Sequence, residues 1–298
     1  MWLLSTSIAF ITWAMVSIFY KITNKVDEYT HLKTGVLVGL IMGAHALVYM
    51  IYKGLSINFL DVLKYFPISV LYIASMIIGY RGYKYIELSI SSPVQNSSGV
   101  ITALLFVLFF HEVYDFPFYI AVILIFIGVI GLSLDEVKEN KDKRKKFLKK
   151  NGFKKLFTLA IMFPLFYALF DGVGTFLDGV FLDKLELISA DSALISYEFT
   201  FLVYGIITWI YLKRKDSKIK IFDEWNLTAA AVCEMVGQVF YVFAMAENAT
   251  IAAPIIGSYC VMTMLLSRVF LKEKLTKKEY LFIFLVLVGV IILAIMDV

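Results

Sequence analysis

Residues 89–100 read SISSPVQNSSGV, and residues 250–261, which lie 161 positions further on, read TIAAPIIGSYCV. The same offset aligns FFHEVYDFPFYIAVILIFIGVI at 109–130 with FLKEKLTKKEYLFIFLVLVGVI at 270–291. The match needs no gap from Ile90 to Val137, and it pairs identical residue types in the same order. The pairs are Pro93 with Pro254, Glu112 with Glu273, Tyr119 with Tyr280, and Gly128 with Gly289. This pattern indicates an internal duplication of a unit about half the chain long.

The composition outside and inside these copies is that of a membrane protein. Of the 298 residues, 60% are hydrophobic and 17% are charged, and the mean hydropathy is +0.81. A soluble domain has nearer a quarter of charged residues. The apolar runs are long enough to cross about 30 Å of hydrocarbon, where helices satisfy their own backbone groups. We therefore expect an all-α protein with ten transmembrane helices, at 2–20, 34–52, 63–82, 91–110, 117–135, 156–178, 191–212, 225–246, 251–271 and 278–296.

The positive charges predict how the helices are oriented. Of the 28 Lys and Arg residues, 25 fall in the odd-numbered connections between consecutive helices, and only 3 fall in the even-numbered ones. Cytoplasmic loops collect Lys and Arg, so the odd connections should be cytoplasmic and both termini extracytoplasmic. A plasma (cytoplasmic) membrane location is expected. The richest connection is a basic linker at 138–155 with ten Lys or Arg, a solvated loop with anionic lipid as a secondary contact.

Equivalent connections in the two copies differ in their content of Lys and Arg. The connection VYDFPF after Glu112 has no Lys or Arg, whereas KLTKKE after Glu273 has three. Homologous loops should therefore lie on opposite sides of the membrane, which is the inverted-repeat architecture of many secondary transporters. We expect a first five-helix repeat at 1–137 and a second at 156–298, separated by the linker.

These features resemble the drug/metabolite transporter superfamily, in particular its ten-helix EamA-type members. The resemblance is carried by YKYIELSISSP at 83–93 and AMAENATIAAP at 244–254, by the two junction glutamates, and by the Gly-bearing fifth helix of each half. It implies a central cavity, alternating access, and substrates such as amino acids, amines, nucleosides or drugs.

Three acidic residues lie at membrane depth. Asp171 is about 22 Å from the cytoplasmic end of its span and Glu198 about 10 Å from the outer end of its own, while Glu234 is near mid-span. A charge there costs about 2.5–3.5 kcal/mol, so each acid should face a cavity, be protonated or meet a cation. No Lys or Arg occurs at similar depth, and His45 is the only basic candidate. We expect this trio to bind a cationic or amine-bearing substrate, a coupling proton, or both; hydrogen bonding between helices is the alternative.

Other polar and aromatic residues could complete the substrate site. Gln238 stands one turn after Glu234 on the same helical face. Gln95 and Asn96 make the fourth helix unusually polar, which fits either a cavity lining or interhelical hydrogen bonds. Mid-depth rings could attract an ammonium by cation–π contact, although packing is the commoner role of such rings. These rings are Trp13, Tyr72, Tyr167 and Tyr259.

Glycines have two expected roles. Gly35, Gly39 and Gly43 form a small-xxx-small repeat that lets another helix approach closely. Gly172 and Gly174 directly follow Asp171, where they predict local loosening of the helix.

Several function classes lack support in the sequence. It contains no nucleotide loop in a strand–helix context, no metal-ligand cluster and no nucleophile–base pair, so neither an enzyme nor a cofactor is expected. The net charge of +4 arises from loops and does not indicate nucleic acid. We expect a secondary active transporter that works by alternating access with possible proton coupling. The alternatives are a broad exporter of cationic drugs and, from another class, a lipid-carrier flippase or membrane-embedded enzyme.

Overall fold

The computed structural model describes residues 1–23, 29–85, 98–110, 115–139, 153–216, 222–270, 272 and 275–296. Ten α-helices and one π-helical turn occur within these ranges, without a strand. In chain order the α-helices are α1 Trp2–Lys21, α2 Thr30–Lys53, α3 Phe59–Tyr85, α4 Ser98–Phe110, α5 Phe116–Glu139, α6 Phe153–Gly179, α7 Ala190–Lys215, α8 Trp225–Gly257, α9 Cys260–Phe270 and α10 Lys277–Met296.

The helices have the length and composition of a membrane protein. Seven of them are long and apolar enough to cross a bilayer, and three shorter apolar stretches occur at Ser98–Phe110, Phe116–Leu132 and Cys260–Phe270. The predicted fourth span begins at 91, but 91–97 lie outside the described residues. The all-helical membrane fold expected from the hydropathy is confirmed.

A break in α8 separates the eighth and ninth predicted spans. Asn248 has φ −161° and ψ 77°, so the helix stops there and a new one begins. Its side-chain oxygen accepts a hydrogen bond from the backbone N–H of Ile251 at 3.3 Å, as an N-cap residue does. The ninth predicted span therefore consists of the part of α8 after Asn248, a turn at 258–259, and α9.

The sequence predicts a loosened helix at Gly172 and Gly174, but the irregular backbone of this region lies elsewhere. α6 is helical through Gly172 and Gly174, so the expected loosening beside Asp171 is wrong. A Cβ on Gly172 would meet Ile101 and the Ser98 carbonyl at 3.0 Å, so this glycine instead admits α4 close to α6. The irregular segment follows α6 as the π-helix Val180–Lys184.

The helices group into two compact units, each of which contains segments of both repeats. Unit 1 comprises Met1–Ile73 and Leu177–Ala252, and unit 2 comprises Ala74–Phe176 and Ala253–Val298. The two spatial units therefore differ from the two repeats, which are defined by the sequence alone. In each unit, one helix of the first repeat packs on its equivalent in the second, α2 on α7 in unit 1 and α5 on α10 in unit 2.

The α2–α7 pair of unit 1 runs antiparallel. Gly35 lies against Tyr204, Gly39 against Gly205, and further along α2 His45 bonds to Glu198. A Cβ on Gly205 would lie 3.1 Å from the Gly39 Cα, so the two backbones touch at this crossing. The small-residue stripe of α2 thus has the packing role predicted for it.

The α5–α10 pair of unit 2 shows the duplication directly. Gly128 lies against Phe282 and Val286, and Gly289 lies against Ala121 and Ile125. Phe282 and Val286 are the residues 161 positions after Ala121 and Ile125. Gly128 and Gly289 are related by the same offset, so the two glycines make equivalent contacts on the opposite helix. The order of these contacts makes the pair antiparallel. Equivalent helices run in opposite directions in both units, as inverted repeats require and parallel repeats do not.

In unit 1, even-numbered connections meet at one end of the helices and odd-numbered connections meet at the other end. Lys53, at the 2–3 connection, approaches Asp191 of the 6–7 connection, with 3.9 Å between Nζ and Oδ1. At the other end, Asn226 of the 7–8 connection donates to the Ile22 carbonyl of the 1–2 connection at 3.3 Å. We call the end marked by Lys53 and Asp191 the outer rim, because the distribution of Lys and Arg predicts that it is extracytoplasmic.

Candidate functional site

The centre of unit 1 is an aspartate that sequence analysis did not single out. Asp178 is fully buried, at the last turn of α6 before the π-helix. Tyr72 and Tyr241 donate to its Oδ2 at 2.7 and 2.9 Å, and Tyr65 donates to its Oδ1. The Tyr72 and Tyr241 hydroxyls are themselves 2.7 Å apart. Asp178 and these tyrosines form what we call the Asp178 cluster.

The spacing of the tyrosines along their helices places their hydroxyls at Asp178. Tyr65 and Tyr72 are seven residues apart on α3, so two helical turns place them on one face. Tyr241 comes from α8. All three side chains are buried, and each hydroxyl has a polar partner, as a buried tyrosine needs.

Further rings surround the cluster. The Trp13 ring centroid is 5.1 Å from that of Tyr241, and the Tyr197 centroid is 5.7 Å from that of Tyr72. Trp13 reaches this position because α8 carries Gly237 beside it, where a Cβ would lie 2.5 Å from the indole. Two of the tyrosines that bind Asp178 are thus packed against further aromatic rings.

The hydroxyl donors explain how a carboxylate is tolerated here. A buried charge without hydrogen bonds is prohibitively costly, and O–H donors to a carboxylate are among the stronger hydrogen bonds in proteins. A carboxylate can attract a cation, and aromatic faces can add cation–π attraction where they meet it. The chemistry offered is electrostatic binding of a small positive group, rather than bond making.

The α8 face next to Tyr241 carries two of the predicted site residues. Glu234, Gln238 and Tyr241 are spaced by four and three residues, which places them on one face over about 10 Å. Glu234 is partly exposed. Gln238 is 1% exposed, and its amide nitrogen has no hydrogen-bond partner among the described residues. A buried unmatched donor is unfavourable unless another group supplies an acceptor.

Glu198 occupies a second polar centre in unit 1. It is fully buried on α7, and His45 on α2 places its Nδ1 2.8 and 2.9 Å from the two carboxylate oxygens. His45, the only basic candidate that the sequence offers at this depth, is therefore the partner of Glu198, so this acid does not lack a built-in basic group. The antiparallel α2–α7 crossing at Gly39 and Gly205 brings the two side chains together.

The remaining predicted residues are in unit 2 or outside the described ranges. Asp171 is partly buried and accepts a hydrogen bond from the Ser98 side chain. Tyr167 lies one turn before it on α6, and Tyr259 lies in the turn between α8 and α9; both are partly exposed. Gln95 and Asn96 lie outside the described residues. Their roles stay predictions.

Two signals in the sequence could have indicated the Asp178 cluster. FDGVGTFLDG at 170–179 repeats an Asp-Gly pair after seven residues, which is two helical turns. Tyr65 and Tyr72 have the same spacing on α3. Asp178 escaped attention because it ends the predicted sixth span, a position typical of a solvated residue. Within the described parts of the chain, no group of three or more His, Cys, Asp or Glu residues could hold a metal ion.

Comparisons with known proteins agree with this architecture. A solved crystal structure matches 99% of this chain and 97% of its own chain, with a TM-score of 0.72 and 11% sequence identity, which shows a shared fold. An uncharacterised protein of Methanocaldococcus jannaschii is 32% identical over 143 residues, which are 46% of this chain and 96% of that protein. That relative is therefore about as long as one repeat.

The model of the EamA-like transporter family matches residues 1–134 and again residues 158–295. The two matches cover nearly the whole chain and coincide with the two copies that the sequence repeats. Members of this family are membrane proteins that transport small molecules. The chain belongs to the EamA-like transporter family, as two copies of its characteristic unit.

Proposed function

We propose that the protein is a secondary active transporter of small organic cations, such as amines or amino acids, in the plasma membrane. The observation that supports this substrate class is the Asp178 cluster, a fully buried carboxylate bound by three tyrosine hydroxyls, with the Trp13 ring packed against Tyr241. A carboxylate supplies charge attraction for an ammonium group, and the rings supply cation–π attraction.

The α8 face would extend the site beyond the positive group. The Gln238 amide nitrogen is buried without a partner among the described residues, so a substrate oxygen could satisfy it. Glu234, one turn away, adds a second acidic group on the same face. An ammonium at Asp178 and a hydrogen-bond acceptor at Gln238 would together favour amine-bearing metabolites with a polar second group.

The mechanism would be alternating access, driven by an ion gradient. Inverted repeats give a transporter two halves that can exchange conformations around a central site. The antiparallel pairing of equivalent helices within each unit supports this architecture. Proton exchange for the cation is the coupling that the buried acids favour.

A ligand panel on the purified protein tests the substrate class. Short alkylammonium ions, amino acids, nucleosides and organic anions are compared by thermal shift at pH 6 and pH 8. A ligand at 100 times its Kd stabilises the folded state by about 2.7 kcal/mol, which gives a measurable shift. We expect stabilisation by ammonium compounds and weaker stabilisation at pH 6. Stabilisation by nucleosides or organic anions alone would overturn the cation preference.

The positive ligands then enter an uptake assay in proteoliposomes. Accumulation should follow an imposed proton gradient and should not need ATP. A requirement for ATP, or uptake that ignores every ion gradient, would contradict secondary transport.

A further inference from the structure

We propose that Glu198 and His45 together form a proton-binding site that is distinct from the Asp178 cluster and is reached from the outer rim. Glu198 is fully buried, whereas the His45 side chain is 23% exposed. Both carboxylate oxygens lie within 2.9 Å of the same imidazole nitrogen. The pair thus joins a side chain with no accessible surface to one that is partly accessible.

Polar side chains continue from His45 to the outer rim. His45, Tyr49 and Lys53 follow one another at four-residue spacing along one face of α2. The Tyr49 ring stacks on His45 with centroids 5.6 Å apart, and its hydroxyl donates to Asp191 at 2.6 Å. Asp191 lies 3.9 Å from the Lys53 ammonium. We call His45, Tyr49, Asp191 and Lys53 the rim ladder.

Side-chain exposure is lowest at Glu198 and highest at Lys53, the end of the ladder at the outer rim. The side-chain exposure is 0% at Glu198, 23% at His45, 33% at Asp191 and 44% at Lys53. Polar side chains that lead from a helix end to a buried acid are what a proton needs to reach that acid from one side. A structural tie between α2 and α7 requires only the Glu198–His45 contact and does not require this continuation.

The proton balance of the pair is simple. With neutral imidazole and ionised carboxylate, the pair carries one negative charge. One proton from solvent binds through the exposed imidazole and gives either an imidazolium–carboxylate pair or two neutral groups. In both cases the net charge becomes zero, which removes the cost of a buried unbalanced charge. Histidine is the side chain best suited to exchange protons near neutral pH.

Among the described residues, the surroundings of the pair include few other titratable groups. Tyr49 faces it from α2, and Asp191 lies two turns away on α7. From α3, Tyr72 approaches through Tyr197, the residue that precedes Glu198, at 5.7 Å between ring centroids. The Tyr72 hydroxyl is 2.7 Å from Asp178. The Tyr72–Tyr197 ring contact and the peptide bond between Tyr197 and Glu198 therefore connect the Asp178 cluster to the proton site within unit 1.

This link gives the coupling its direction. A cation at Asp178 adds a positive charge to the same unit, so it disfavours the extra proton and promotes its release. By thermodynamic reciprocity, the proton weakens cation binding by the same factor. This part of the inference rests on the proposed function, whereas the existence of the proton site does not.

The proton site is tested without any substrate by ¹⁵N-histidine NMR on the full chain in nanodiscs. The chain has only three histidines, so the His45→Gln variant identifies the His45 signals by their loss. His31→Gln, at the other end of α2, is the matched control. We expect the His45 signals to titrate between pH 5 and 9, with a midpoint that moves by at least one pH unit in Glu198→Gln. Signals that do not titrate, or a midpoint that Glu198→Gln leaves unchanged, would overturn the proposal.

Proton release tests the coupling separately. Ethylammonium chloride is added to the weakly buffered protein with a pH-indicating dye, for wild type, Glu198→Gln and His45→Gln. We expect wild type to release protons when ethylammonium binds. Both variants should still bind ethylammonium but release at most one fifth as many protons as wild type. Undiminished release in both variants would overturn the coupling. If ethylammonium fails to bind even wild type, the proposed substrate class is wrong for this probe, and the NMR titration still decides the proton site.

Discussion

The Asp178→Asn substitution tests the proposed cation site most directly. Asparagine has the shape of aspartate, so the cluster should keep its packing. Its carbonyl can accept from Tyr65, and its amide can donate to the Tyr72 and Tyr241 hydroxyls in place of the bonds that Asp178 accepts. The substitution therefore removes a charge while it preserves the contacts. A fall in cation affinity would reflect electrostatics rather than lost structure.

The size of the effect follows from Coulomb's law. A positive group about 4 Å from the carboxylate gains about 4 kcal/mol at an effective dielectric constant of about 20. Desolvation of both charges opposes this gain. If about half survives, Asp178→Asn loses about 2 kcal/mol, which is roughly a 30-fold rise in Kd.

Isothermal titration of the purified protein measures this change. The titrant is the alkylammonium ion that gives the largest thermal shift, and its neutral alcohol analogue serves as the ligand control. Asp115→Asn, at an exposed carboxylate at the start of α5, is the matched protein control and should bind as wild type does. A Kd for Asp178→Asn within twofold of wild type, with the fold intact, would refute the assignment of Asp178 as the cation-binding group.

Substitutions at four further positions test other parts of the structure. Gly128→Ala and Gly289→Ala should each lower the free energy of unfolding by about 1–3 kcal/mol, because each new Cβ meets the backbone of the equivalent helix; a difference above about 2 kcal/mol between them in denaturant unfolding would contradict reciprocal packing. Asn248→Ala should cost about 1 kcal/mol in the same assay through loss of the N-cap, and Asn248→Asp should restore most of it; equal stability of both variants would exclude the cap. Glu234→Gln should reduce uptake in proteoliposomes and change its pH dependence, because it removes an acidic group from the α8 face; uptake with unchanged rate and pH profile would remove Glu234 from the site.

The fold was predictable because its main signals are local or periodic. Apolar run length sets the spans through the thickness of the bilayer, and the 161-residue offset relates Gly128 to Gly289 within the sequence itself. The reciprocal contacts of these glycines repeat that offset in three dimensions. The break at Asn248 falls between the predicted eighth and ninth spans, because Asn favours helix starts.

The candidate site was less predictable because it depends on contacts between distant segments. Hydropathy identifies an acid as unusual only if it lies well inside a span, and Asp178 ends one. The three tyrosines that bind it come from α3 and α8, and no sequence rule brings those helices to the end of α6. Similarly, Glu198 and His45 are 153 residues apart, and their pairing depends on the α2–α7 crossing. Composition indicates that polar groups are present, whereas topology determines their partners.

If Glu198 binds the proposed proton from the outer rim, the membrane voltage should act on that proton. Glu198 lies eight residues from the start of α7 at the outer rim, about 12 Å along the axis, or roughly two fifths of the hydrocarbon thickness. A unit charge that crosses the whole field gains about 2.3 kcal/mol per 100 mV, so a proton entering from the rim would gain about 0.9 kcal/mol. Polarising a cell by about 100 mV, negative inside, would thus raise the occupancy ratio of this site roughly fivefold at constant pH. The electrical half of the proton-motive force would then regulate the protein even where no pH gradient exists.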